Sequence, residues 1–104
     1  MILSVLERLV LLNVLPREGT ITTVKIVREL REALSFSEEE HKELKFERTE
    51  DGGTQWDTGT EKEKDVPVGP RAHTLVVETL ELLDKDKKLT EDYLSLWEKF
   101  VGDS

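Results

Sequence analysis

Cysteine is absent from the 104-residue sequence, histidine occurs twice, glycine six times, and aromatic residues make up only 6%. Without a thiol there is no disulfide framework, thiolate zinc site, thiol nucleophile or iron–sulfur cluster, so a fold of this size must be held by packing. One histidine in any one helix is too few for a zinc site. The glycines form neither a phosphate-loop nor a dinucleotide-fold pattern. A long apolar run is missing as well. The opening stretch Met1–Leu12 is interrupted by Glu7 and Arg8 and followed by Pro16, whereas a membrane span needs about 20 apolar residues. It also lacks the basic start and small-residue cleavage site of a secretory signal. A cytoplasmic protein is expected.

Apolar mass and acid are what the chain has instead. Leu, Ile, Val and Phe account for 32 residues, well above the level at which low hydrophobicity and high charge prevent folding. The length suits one domain. Lys and Arg number 15 against 23 Asp and Glu, a formal charge of −8. The acid is concentrated in the middle: residues 1–37 carry a net +1, residues 38–65 a net −6 and the remainder −3. Such a surface repels phosphate backbones, which disfavours general nucleic-acid binding.

Local signals predict the elements. Ser4 with Glu7 three residues on is a capping-box pattern, and Pro16 follows, so a helix is predicted over 4–14. Val5, Leu6, Leu9, Val10 and Leu12 form one broad face, while Leu3, Leu11 and Val14 fall partly outside it. The helix is therefore either the centre of the core or an interface. The surplus of Leu and Val predicts self-association, a homodimer formed through Leu3 and Leu11. Thr20 and Ile21 read as a very short strand before a second helix over 22–34, whose periodic residues are Val24, Val27, Leu30 and Leu34. Ser37 and Glu40 repeat the capping box and open a short helix to Leu44. Asp51-Gly52-Gly53 marks a hairpin. A three-residue loop there sets Arg48 opposite Trp56 and Phe46 opposite Thr58, with both aromatics on one face. Residues 59–66 read as a mobile charged loop. A helix follows from Pro70 to about Leu83, then a solvated turn at 84–88. The final helix is capped by Thr90, with Leu89 stapled onto Leu94 and Gly102 as its stop.

This order of elements predicts an α+β fold that is mainly α: three helices and a β-hairpin over 1–58, then a helical pair over 67–102. The first half resembles a winged-helix domain. In that family the third helix enters the major groove and the hairpin touches the backbone, positions that correspond here to 37–44 and 45–57. The chemistry departs from the family. The would-be recognition helix reads Ser37-Glu38-Glu39-Glu40-His41-Lys42-Glu43-Leu44 and carries four carboxylates where phosphate contacts require cations. A short, acidic, cysteine-free chain that begins with an apolar helix is also similar in composition to small bacteriophage and prophage proteins, which implies an accessory role toward a host component.

The functional expectation is a non-enzymatic protein-interaction module with no cofactor and no metal, which binds a basic partner. The candidate residues are Glu38, Glu39, Glu40, Glu43, Glu47, Glu50 and Asp51, together with Trp56 as an aromatic anchor. Two rival readings are a DNA regulator using Lys25, Arg28, Arg31, Lys42, Lys45 and Arg48, and a hydrolase with a carboxylate cluster and Mg²⁺. His41 and His73 read as surface residues, and Tyr93, Trp97 and Phe100 as core.

Overall fold

A computed structural model describes residues 1–57, 59 and 62–102. The described elements are β1 (Ile2–Leu3), α1 (Val5–Val14), α2 (Ile21–Leu34), α3 (Glu38–Leu44), β2 (Glu47–Arg48), β3 (Thr54–Gln55), β4 (Lys64–Asp65), α4 (Pro70–Lys85), a 3₁₀ turn (Glu91–Tyr93) and α5 (Leu94–Phe100). The fold is α+β and mainly α. Its strands form two antiparallel pairs, β1 with β4 and β2 with β3.

The helix starts follow from their caps. The Ser4 hydroxyl accepts from the Glu7 N–H at 3.2 Å, and the Glu7 carboxylate accepts from the Ser4 N–H at 2.8 Å. Ser37 and Glu40 make the same reciprocal pair, so both capping boxes satisfy donors that a helix N-terminus leaves open. Pro70 is the first residue of α4, where its missing N–H costs nothing. No strand forms at Thr20 and Ile21. The Thr20 hydroxyl instead accepts from the Thr23 N–H and caps α2 directly, a local hydrogen bond that wins over β propensity.

α4 runs to Lys85 and ends in a Schellman motif: the Lys88 N–H donates to the Leu83 carbonyl and the Lys87 N–H to that of Asp84. Lys87 takes the left-handed conformation there (φ 57°), and Lys45 does the same at the end of α3 (φ 50°). Thr90 precedes the 3₁₀ turn but supplies no side-chain cap. Gly102 has φ +87° after the last helix.

One cluster gathers Leu3, Leu11, Leu15, Val27, Leu30, Leu34, Val66, Val76, Leu80, Leu96 and Phe100, with Tyr93 and Trp97 packed against it. This corrects the expected face of α1. Leu3 and Leu11 are 0% and 1% exposed and lie inside the fold, so they are unavailable as a self-association surface. The helix turns Glu7, Arg8 and Leu11 inward and leaves Leu6, Leu9, Val10 and Leu12 half-buried, because its two charges find partners, Lys99 and Glu40, on neighbouring helices. Of the mobile loop expected over 59–66, residues 60 and 61 lie outside the described residues, and Lys64–Val66 are instead held in place. β4 pairs with β1 in the register Ile2–Asp65 and Leu3–Lys64, and Val66 is fully buried.

Candidate functional site

Arg8 organises the region around α3. Its side chain is 0% exposed and every arm of the guanidinium is used. Nε donates to the Leu34 carbonyl at 3.1 Å, and one terminal nitrogen donates to the Ser35 carbonyl at 2.6 Å and to Glu40 Oε1 at 3.2 Å. The other terminal nitrogen donates to Glu40 Oε2 at 2.5 Å, so the guanidinium and carboxylate meet fork to fork. Phe36 lies under the guanidinium, 3.9 Å from ring centroid to carbon, in cation–π contact. A single α1 side chain thus ties the end of α2 to the start of α3. The Arg8 hydrogen bonds hold the Glu40 carboxyl down to about 2, aided by the Ser37 N–H and the charge of Lys64, against the opposing effect of burial.

Aromatic rings join α3 to the hairpin. Phe36 and Phe46 meet edge to face at 5.0 Å, His41 approaches Phe46 at 5.5 Å, and Phe46 lies 6.2 Å from Trp56. The strands pair Glu47 with Gln55 and Arg48 with Thr54, so the loop spans 49–53 and the register expected from a three-residue loop is corrected by two residues. Asp51 causes this. Its Oδ1 accepts from the Gly53 N–H and the Thr49 hydroxyl, while the Thr49 N–H donates to the Gly53 carbonyl. Gly52 takes φ +87° within the loop. Continuing this register sets Phe46 opposite Trp56, which keeps both aromatics on one face as expected. Thr58, the other half of the expected Phe46 pair, lies outside the described residues. The Asp57 N–H donates to the Leu44 carbonyl at 2.7 Å and anchors the hairpin to the end of α3.

The eight candidate interaction residues therefore divide. Glu40 turns inward to Arg8 and caps α3, which removes it from the interaction surface. Asp51 is exposed but folds back on its own loop, and the Thr49 hydroxyl and Gly53 N–H lower its pKa. Glu47 accepts from the Gln55 side chain at 3.2 Å. Glu43 is exposed at the side of α3. Glu38, Glu39 and Glu50 are exposed and make no hydrogen bond or ion pair among the described residues. Trp56 is half-buried, with its Nε1 buried and without a hydrogen-bond partner among the described residues, so it forms part of the aromatic plate more than a projecting anchor.

A second ion pair, in which only the carboxylate is buried, was not evident from the sequence. Glu7 accepts from Lys99 Nζ at 2.7 Å, and the same ammonium donates to the Ile2 carbonyl at 2.8 Å. Burial pushes the Glu7 carboxyl upward, but Lys99, the Ser4 N–H and Ser95 together bring it below its ordinary value. The one available signal was an Arg and a Glu inside a helix that is apolar on every side, a placement that requires partners. His73 is half-buried, 5.3 Å from the Phe100 ring. Among the described residues, no group of three or more His, Asp or Glu side chains could hold a metal ion, and no helix is long and apolar enough to cross a membrane. No family model, curated protein or solved structure matches the chain.

Proposed function

We propose that this protein is a non-enzymatic interaction module that receives a cationic segment of a partner protein on the acidic face of α3 and the β2–β3 hairpin. The observation that carries this reading is the set Glu38, Glu39 and Glu50, exposed and unpaired on two elements that Arg8 and the aromatic plate fix together. A preassembled surface loses little ordering entropy on binding, and exposed carboxylates of one sign speed the approach of a cationic partner. A winged-helix-like use of the third helix and hairpin, redirected from DNA to protein in a cytoplasmic accessory protein of phage or prokaryotic type, is the same proposal in fold terms.

Capture on immobilised protein from the native host, run beside random duplex DNA at low salt, tests this reading. The expected result is a basic protein that is retained by the wild type, released by salt and lost on E38Q/E39Q/E50Q. Tight retention of DNA without a captured protein contradicts it.

A further inference from the structure

A groove of about 850 Å³ lies between α2 and the start of α4. Its apolar lining includes Ile26, Leu30, Ala33 and Ala72, and Lys25 and Arg71 stand at its rim. Both cations are exposed and make no ion pair or hydrogen bond among the described residues. α4 contributes further positive potential, because Gly69 offers no side-chain cap and no acidic residue occupies the first turn. Glu29 also lines the groove, so the local excess is one full charge plus the helix end.

We infer that this groove docks an acidic, apolar peptide segment of a partner, with Leu-type side chains on the groove floor and a carboxylate between Lys25 and Arg71. Charge complementarity selects that occupant. In a chain of net charge −8, two cations that line one apolar trough and are unpaired among the described residues match a segment that brings both carboxylate and hydrocarbon. A nucleic-acid backbone supplies the anion but nothing to bury on Ile26, Leu30 and Ala72. The volume falls within the roughly 300–1,000 Å³ typical of ligand clefts, and helix-in-groove recognition uses the same combination of apolar anchors and flanking charge. The protein's overall charge repels such a segment at a distance, but over about 8 Å physiological salt screens that repulsion, which leaves the contact to local groups.

Selection of a random displayed peptide library on the immobilised full chain tests the inference, with affinities then measured for the recovered peptides as free synthetic molecules. A class with Asp or Glu within one turn of Leu, Ile or Phe is expected, with affinity reduced about tenfold, as for the loss of two exposed ion pairs, in K25Q/R71Q. These substitutions are at exposed, unpaired positions, and unchanged helical circular dichroism of the variant verifies its fold. The same peptides should bind E38Q/E39Q/E50Q as tightly as wild type, so this groove and the acidic face of α3 succeed or fail separately. Recovery of no acidic-apolar class, affinity unaltered in K25Q/R71Q, or a duplex oligonucleotide that binds at Lys25 and Arg71 more tightly than any peptide would each overturn the inference.

Discussion

Replacing Glu40 with Gln isolates the tie that holds α3 in place. The Glu40 carboxyl is lowered from 4.5 to about 2, and at 1.36 kcal/mol per pKa unit the native state favours its ionised form by about 3 kcal/mol. Glu40 is 28% exposed and Arg8 fully buried, so solvent screening removes little of this. The cost of leaving a buried charge without its partner, about 3–5 kcal/mol, agrees. Because the folded pKa is depressed, the stabilisation is fully present above the unfolded value of 4.5 and is lost as pH falls toward 2. Urea unfolding of wild type and E40Q across that range should therefore show a difference of about 3 kcal/mol at neutral pH that shrinks progressively in acid. That is a large share of the roughly 5–15 kcal/mol of stability typical of a small domain. A difference below about 1 kcal/mol at neutral pH, or one that stays constant from pH 7 to the acid limit, would refute the reasoning. R8M should cost as much or more, since the Leu34 and Ser35 carbonyls lose their donor, and R8M/E40Q should be well short of the sum of the two.

Three other substitutions probe separate parts of the account. K99M leaves Glu7 buried without its cation and should cost about 3 kcal/mol in chemical denaturation; the Glu7 carboxyl, followed by NMR titration, should move from below its ordinary value to above it as burial takes over. L11A should destabilise the fold by about 2–5 kcal/mol without changing the sedimentation coefficient of the folded protein, whereas dissociation of a dimer at unaltered stability would restore the idea of self-association through α1. K45G relieves a left-handed conformation at the end of α3 and should raise stability by up to about 1 kcal/mol in thermal unfolding.

Features that depend on near neighbours were legible in the sequence. Ser4 with Glu7 and Ser37 with Glu40 encode their caps within four residues, and Pro70 marks the start of α4. Distant or context-dependent features were not. β1 and β4 are two residues each and pair across more than sixty positions, with no alternation to reveal them. The inward face of α1 does not follow from its apolar positions, because Arg8 and Glu7 turn inward to partners, Glu40 and Lys99, that lie on α3 and α5. The hairpin register depended on Asp51 bonding back to Thr49, which lengthened the loop. At the candidate site the charge was visible in the sequence. Which carboxylates are free was not, because Glu40 is taken by a residue 32 positions away.

The central claim, that the face of α3 and the hairpin receives a cationic segment, is tested most directly with two variants of equal net charge. A fluorescein-labelled Arg- and Lys-rich peptide is titrated by fluorescence anisotropy with E38Q/E39Q/E50Q and with E78Q/E81Q/E91Q, whose three acids are exposed on α4 and the 3₁₀ turn. At about 0.2–1 kcal/mol for each exposed pair, the first variant should lose roughly tenfold in affinity at low salt, while the second stays close to wild type. Equal losses in the two variants would mean that the peptide senses only the net charge, and would contradict the claim.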